Sequence, residues 1–117
     1  MDNYIVVRTE HLNQHGHLFG GQMLLWIDEF CWIAAAIDFP DKKLVTRAMG
    51  DTSFSRGIPN GSILRFETRQ KSVGCSSVTY SCDVYIMDDK EENKTPVFST
   101  TITFTAVDEE GKKTSLC

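Results

Sequence analysis

A carboxylate interrupts a long apolar run that follows a glycine-rich segment. The stretch NQHGHLFGGQMLLWIDEF begins at Asn13, and its apolar part contains Asp28 and Glu29. At about 100° per helical residue, Gly21, Asp28 and Ala35 lie almost in line on one helix face. Small in-line neighbours leave room for a ligand or a second subunit, so Asp28 is a candidate general base or nucleophile. The alternative, a structural acid that bonds to a neighbouring element, remains open.

Two adjacent glycines, Gly20 and Gly21, stand where the apolar run begins. The unpaired amides and the positive dipole end of a helix N-terminus can bind an anion or a developing oxyanion. Glycine also allows a ligand to approach the backbone closely. A plain turn gives the same pair of glycines, and the spacing differs from that of nucleotide-binding loops. The glycines therefore gain meaning only together with Asp28.

The remaining sequence predicts the elements that position these residues. The apolar run predicts a helix from Gly21 to Asp38, which Pro40 ends. Alternating apolar and β-branched residues predict five strands at Asn3–Arg8, Leu44–Phe54, Ile63–Val73, Ser77–Met87 and Pro96–Val107. Asp88–Thr95 reads as a solvated connection.

The order strand, helix, four strands predicts one α+β domain over residues 1–117. Short connections among the later strands favour antiparallel pairing. A helix that is apolar on nearly all sides must be wrapped by other structure. We therefore expect a five-stranded antiparallel sheet around one long central helix, with a sheet edge that a second copy covers.

Composition restricts the class of protein. The chain has 117 residues and a net charge of -4, which argues against nucleic acid as a partner. No signal peptide and no membrane span are expected, so we predict a cytoplasmic protein that does not bind membranes. The cysteines lack metal-site spacing and the histidines crowd one loop, so reduced thiols and no metal are expected at Cys31, Cys75, Cys82 and Cys117.

Several of these residues together resemble the signature of the hot-dog-fold acyl-CoA thioesterases. The pattern N-x-x-G-x-L-F-G-G runs from Asn13 to Gly21, and Asp28 follows seven positions later. The segments SVGCSSV and FTAVD follow in the order that this family shows. The resemblance covers residues 3–113 and implies the hot-dog fold, in which a sheet wraps one helix.

The resemblance also implies roles for individual residues. Asp28 would be the catalytic carboxylate, as general base or as nucleophile. Asn13 of one subunit would meet Asp28 of another and hold the water or the carbonyl. The amide of Gly21, or alternatively of Gln22, would polarise the thioester oxygen. Contacts to the substrate and its coenzyme A part are expected from Gly20, Gln22, Gly74, Ser76, Ser77 and Lys112, with Lys113 as an alternative to Lys112.

The implied reaction is hydrolysis of acyl-CoA to a free acid and coenzyme A. No separate cofactor is expected, because coenzyme A belongs to substrate and product. Short-to-medium acyl chains or aryl groups are expected, in a homodimer at least and in a tetramer or hexamer by analogy. Two alternatives remain. A non-catalytic acyl-CoA-binding module is favoured by Cys75, where many members carry Arg or Lys. A dehydratase would use His15 or His17, but Asp28 and Asn13 favour hydrolysis.

Overall fold

The computed structural model describes residues 1–87 and 95–116, which form one helix and five strands. Most of the predicted connection Asp88–Thr95 lies outside these residues. No helix in the described ranges combines the length and apolar character needed to cross a membrane. The elements are β1 (Asp2–Val6), a 3₁₀ turn (Thr9–His11), α1 (Gly20–Asp38), β2 (Lys43–Met49), β3 (Ile63–Val73), β4 (Ser77–Ile86) and β5 (Phe98–Val107).

The strands form a single sheet in the order β1-β3-β4-β5-β2, and every neighbouring pair is antiparallel. The helix packs on the sheet and contacts β2, β3, β4 and β5. The predicted α+β architecture is therefore confirmed. Because β1 and β2 are the edges, the sheet leaves one side of each of these strands unpaired.

The core follows from strict alternation along β4, where every second side chain is buried against the helix. Phe66 of β3 lies between two helix aromatics: its ring centre is 6.1 Å from that of Trp26 and 5.0 Å from that of Phe30. Full burial of each such side chain contributes roughly 1.5–3 kcal/mol. One face of α1 is thus fixed to the sheet.

The face of α1 that is turned away from the sheet is not covered within this chain. Leu25 and Trp32, seven residues apart on this face, keep 58% and 46% of their surface exposed. A five-stranded sheet reaches around only part of the helix. Exposed apolar side chains in a row are typical of a surface that meets another molecule.

The prediction that the second strand continues to Phe54 is wrong, because β2 ends at Met49. A β-carbon at Gly50 would lie 2.5 Å from Oγ1 of Thr101, so the chain passes β5 very closely here. Beyond Gly50 the chain no longer pairs as a strand with β5, and Phe54 forms only an isolated β-bridge with Phe98 of β5.

Candidate active site

Asp28 lies half-buried on α1, in a slot shared with the edge strand β2. The slot has a volume of about 290 Å³. Thr46 Oγ1 donates a 2.7 Å hydrogen bond to Asp28 Oδ1, which fixes the orientation of the carboxylate. Apolar surface from Leu25 and Trp32 flanks the carboxylate, and Glu29 stands at the exposed side. A carboxylate held this way can accept a proton from a bound water or attack a carbonyl carbon.

Trp32 links the two elements that form this slot. Its indole N–H donates to the backbone carbonyl of Leu44 at 3.2 Å, which ties α1 to β2. Leu44 is buried, and Thr46 stands two residues further along the same strand. Side chains two apart on a strand point to the same face, so Thr46 faces the helix and reaches Asp28.

The start of α1 offers two backbone donors. The Phe19 amide donates to the His11 carbonyl, and the Gln22 amide donates to the Phe19 carbonyl at 3.0 Å. Within the described ranges, the amides of Gly20 and Gly21 have no protein acceptor. These two amides therefore remain available for an oxyanion, whereas the Gln22 amide is already engaged.

Asn13 organises the loop before the helix. Its Oδ1 accepts hydrogen bonds from the backbone amides of His15 at 2.9 Å and His17 at 3.2 Å. The turn closes with the Gly16 amide on the Asn13 carbonyl, and Gly16 has a φ of 80°, which glycine adopts without strain. Since Oδ1 is occupied twice, the Nδ2 amino group is the part of Asn13 that can contact a ligand.

Asn13 and the start of α1 lie in a different pocket from Asp28. This groove has a volume of about 600 Å³, and none of its lining residues lines the Asp28 slot. Gly21 and Asp28 are seven residues apart on one helix, so they lie about 10 Å apart along its axis. A reacting thioester must be about 3 Å from each group that acts on it. Along the helix axis, the Gly21 amide and Asp28 of one chain are therefore too far apart for both to contact one carbonyl directly.

The residues expected to bind coenzyme A lie at the turn between β3 and β4 and beyond β5. The Gly74 amide donates to the Ser77 carbonyl at 2.7 Å, and the Ser76 carbonyl accepts from Ala106. The Gly74 amide is thus used within the turn. Lys112 has a 78% exposed side chain, and its Nζ is 3.9 Å from Glu110.

The C-terminal segment runs alongside this turn. The Leu116 amide donates to the Cys75 carbonyl at 2.9 Å. The thiol of Cys75 is free and exposed. The turn and the segment that carries Lys112 therefore share one end of the sheet.

Comparison with known proteins assigns the family. Residues 15–93 match the sequence model of a family described as the thioesterase superfamily. The chain belongs to the thioesterase superfamily. Among curated proteins, none matches the sequence significantly.

Solved structures of other thioesterases share the fold of this superfamily member. A hexameric hotdog-fold thioesterase of Campylobacter jejuni is 27% identical with a TM-score of 0.83, over 98% of this chain and 88% of that one. An acyl-CoA hydrolase from Staphylococcus aureus, solved with butyryl coenzyme A, coenzyme A and coenzyme A disulfide, is 26% identical with a TM-score of 0.82, over 98% and 67%. The hot-dog fold expected from the sequence is confirmed.

The Staphylococcus aureus enzyme has also been solved as alanine variants. One replaces an aspartate, another replaces an asparagine fifteen positions before it, and a third replaces a threonine. The aspartate variant is 25% identical to this chain with a TM-score of 0.85, and the asparagine variant is 28% identical with a TM-score of 0.85. The threonine variant is 25% identical with a TM-score of 0.86. Each match covers 98% of this chain. It covers 70% of the aspartate variant, 68% of the asparagine variant and 70% of the threonine variant.

Thr46 was not among the site residues predicted from the sequence. Thr46 is eighteen residues from Asp28, and no local pattern indicates that a strand residue meets a helix residue across that distance. The usable signal was the predicted strand itself, whose alternation places Leu44 and Thr46 on one face. No group of three metal-ligating side chains comes together in the part of the chain that the structure describes.

Proposed function

We propose that this protein hydrolyses acyl-CoA thioesters to a free carboxylic acid and coenzyme A. The observation that carries the proposal is Asp28, a carboxylate oriented by Thr46 in a slot with apolar walls. Asp28 acts on water as general base or on the thioester carbonyl as nucleophile. No cofactor takes part, since both routes need only the carboxylate, water and donors to the carbonyl oxygen.

The site is shared between two copies of the chain. The helix holds the Gly21 amide about 10 Å from Asp28 along its axis, so these two groups of one chain belong to two different active sites. In the complete site, Asn13 and Gly21 of one protomer face the partner's Asp28. The exposed side chains of Leu25 and Trp32 beside Asp28 are then covered by the second copy.

Asn13 acts on the carbonyl oxygen and not as the acceptor for the attacking water. Its Oδ1 already accepts two backbone amides, so only the amino group is directed to substrate. An N–H donor beside the Gly21 amide stabilises the oxyanion that forms as the thioester carbonyl becomes tetrahedral. If water attacks, collapse of that intermediate expels the coenzyme A thiolate and leaves the carboxylic acid. If Asp28 attacks, collapse expels the same thiolate and leaves a mixed anhydride with Asp28, which water then hydrolyses to the acid and the free Asp28 carboxylate.

Two features of the solved relatives support this assignment. In the Staphylococcus aureus acyl-CoA hydrolase, the asparagine and the aspartate chosen for replacement are fifteen positions apart, as Asn13 and Asp28 are here. The Campylobacter jejuni relative is hexameric. We therefore propose a homo-oligomer of at least two chains for this protein.

A complementation experiment tests the shared site. Asp28→Asn removes the carboxylate, and Asn13→Asp keeps the turn acceptor while it removes the amino group. Each variant alone is expected to be nearly inactive. After the two are refolded together in equal amounts, half of the dimers carry one intact site, so about a quarter of the wild-type activity returns. Mixed dimers that are shown by mass spectrometry to form, yet regain no activity, would contradict the shared site.

A second candidate function is binding of acyl-CoA without cleavage. Cys75 favours it, because this exposed position lacks the basic side chain expected there for phosphate contacts. Calorimetry separates the two functions. Saturable binding of hexanoyl-CoA to wild-type protein that releases no thiol would support the binding module and reject hydrolysis.

A further inference from the structure

His11 stands where the first strand, the loop before the helix and the helix itself meet. It ends the 3₁₀ turn Thr9–His11, two residues before Asn13 and nine before Gly20. Its side chain is half-buried, and it lines neither the groove that contains Asn13 nor the slot that contains Asp28. A role of this side chain in the reaction therefore depends on the groups that it holds in place.

The turn that ends at His11 is anchored to the sheet. Val7 is buried, its amide donates to the Ser62 carbonyl at 2.9 Å, and its carbonyl accepts from the Gly61 amide at 2.8 Å. The next residue is Arg8, whose backbone amide donates to His11 Nδ1 at 2.9 Å and whose carbonyl accepts from the His11 amide at 2.9 Å. Because two bonds join the same two residues, the imidazole is held against a segment that the sheet fixes.

The ring of His11 also contacts the helix. Its centre lies 4.8 Å from the centre of the Trp26 ring, and the two planes are 80° apart. Trp26 is buried in α1 and meets Phe66 of β3 edge-on as well. An edge-to-face contact has a preferred geometry, so it restricts the orientation of the imidazole. His11 is therefore held by the end of the first strand and by the helix at the same time.

Both groups that are proposed to stabilise the oxyanion are connected to His11. The His11 carbonyl accepts the Phe19 amide at 2.9 Å, and Phe19 immediately precedes Gly20, the first residue of α1. On the other side, Asn13 follows His11 by two residues, and its amide donates to the His17 carbonyl at 2.7 Å. The loop of residues 12–18 therefore leaves from His11 and returns to it.

The tip of this loop does not fix Asn13 relative to the helix. Residues 14–17 are exposed, and the two amides that Asn13 Oδ1 accepts belong to the same tip. The arm after the tip is held separately, by the Leu18 amide on the Ile58 carbonyl at 2.7 Å. The arm that contains Asn13 is joined to the sheet and the helix through His11. A donor must lie about 2.7–3.1 Å from the oxyanion, and a misplacement of 1 Å costs about a hundredfold in rate.

We propose that His11 is a positioning residue for thioester hydrolysis. By accepting the Arg8 amide, its Nδ1 holds the base of the loop in place. The Asn13 amino group then points to the same thioester oxygen as the free amides at the start of α1. The inference rests on the proposed thioesterase function, and it gives His11 no contact with the substrate. Loss of the Nδ1 acceptor displaces the Asn13 donor, which weakens stabilisation of the oxyanion more than binding of the substrate.

Two substitutions separate the acceptor from the ring. His11→Phe keeps a ring against Trp26 and removes the acceptor. His11→Asn removes the ring and keeps an acceptor, because asparagine Oδ1 is as many bonds from the backbone as Nδ1 is. With hexanoyl-CoA, His11→Phe is expected to lower kcat about three- to tenfold, as for loss of one hydrogen bond, with KM within about twofold of wild type. His11→Asn is expected to retain kcat within about twofold. Gln14→Ala, which changes an exposed residue of the same loop, is the matched control and should alter neither constant.

A double variant shows whether His11 acts through Asn13. Asn13→Asp removes the amino group, so adding His11→Phe to it should lower kcat no further. An equal His11→Phe effect with and without Asn13→Asp would overturn the proposal, as would equal losses in His11→Phe and His11→Asn or a change in KM alone. Urea unfolding checks that each variant folds. If His11→Phe does not fold, His11→Leu, which also lacks the acceptor, replaces it in every comparison.

Failure of this inference differs from failure of the proposed function. If wild-type protein cleaves hexanoyl-CoA and His11→Phe keeps the wild-type kcat, the positioning role is wrong and the thioesterase function stands. If wild-type protein cleaves no acyl-CoA, the proposed function itself fails, and the role of His11 fails with it.

Discussion

Replacing Asp28 by asparagine removes the proposed catalytic group with little change of shape. Thr46 donates its hydroxyl hydrogen to Asp28 Oδ1, and an asparagine Oδ1 accepts the same bond. Asp28 is only half-buried, so the new amino group can reach water. We expect the free energy of unfolding to change by less than about 1 kcal/mol, since no polar group becomes buried without a partner.

The effect on catalysis is expected to be far larger. A positioned general base contributes about 10²- to 10⁴-fold, which corresponds to roughly 3–5 kcal/mol of transition-state stabilisation. Thr46→Val removes only the bond that orients the base. In this partly exposed setting the bond is worth about 0.5–1.5 kcal/mol, so a loss of about two- to tenfold follows.

The assay is release of coenzyme A thiol from hexanoyl-CoA, measured as kcat/KM for wild type, both single variants and the double variant. If Thr46 acts through Asp28, Thr46→Val has no further effect once Asp28 is asparagine. Urea unfolding of each variant controls for stability. An Asp28→Asn protein that keeps wild-type activity within threefold would refute the catalytic role, and an unchanged Thr46→Val effect in the double variant would refute the coupling.

Three further predictions concern stability and are measured by urea unfolding. Tyr80 donates a 2.5 Å hydrogen bond to Asp38, and burial, followed by this bond, raises the pKa of Tyr80 to about 12. The contribution of the bond to stability is therefore full below about pH 10 and is lost as the pH rises towards 12. Tyr80→Phe should cost about 1 kcal/mol at pH 8, and its difference from wild type should shrink above pH 10. A Tyr80→Phe curve parallel to wild type at all pH values would contradict this. Phe66→Ala should cost about 3–5 kcal/mol, because Phe66 is fully buried, and a loss under 1 kcal/mol would contradict the packing. Gly50→Ala should cost about 1–3 kcal/mol through its contact with Thr101 Oγ1, and Thr101→Ala in the same protein should recover most of it; no recovery would show that the contact is not the cause.

The fold was readable from sequence wherever one face of an element is buried by the chain itself. Ile63–Val73 has the predicted bounds, and the helix starts one residue before the predicted Gly21. The second strand was predicted too long because Thr and Phe have high strand propensity, whereas the close passage of Gly50 against β5 depends on Thr101, 51 residues away. The local sequence pattern around Gly50 contains no information about such a distant contact.

The candidate site was readable in its residue types but not in its geometry. The sequence indicated Asp28 and the free amides before it, because spacing on a helix is determined by local structure. It did not reveal that Leu25 and Trp32 stay exposed, since an apolar residue has the same pattern whether its own sheet or another chain covers it. The sequence also did not reveal that Asn13 Oδ1 accepts two backbone hydrogen bonds, because asparagine is suited both to turn formation and to substrate contact.

The fixed length of helix between Gly21 and Asp28 has a consequence for how the protein is controlled. A helix does not shorten, so under the proposed arrangement a solitary chain holds two incomplete halves and stays inert. Turnover per chain would then rise as the protein accumulates and fall on dilution. Specific activity measured along a dilution series therefore also reports the association of the chains. Under this arrangement, a newly made chain hydrolyses no thioester until it binds a second copy.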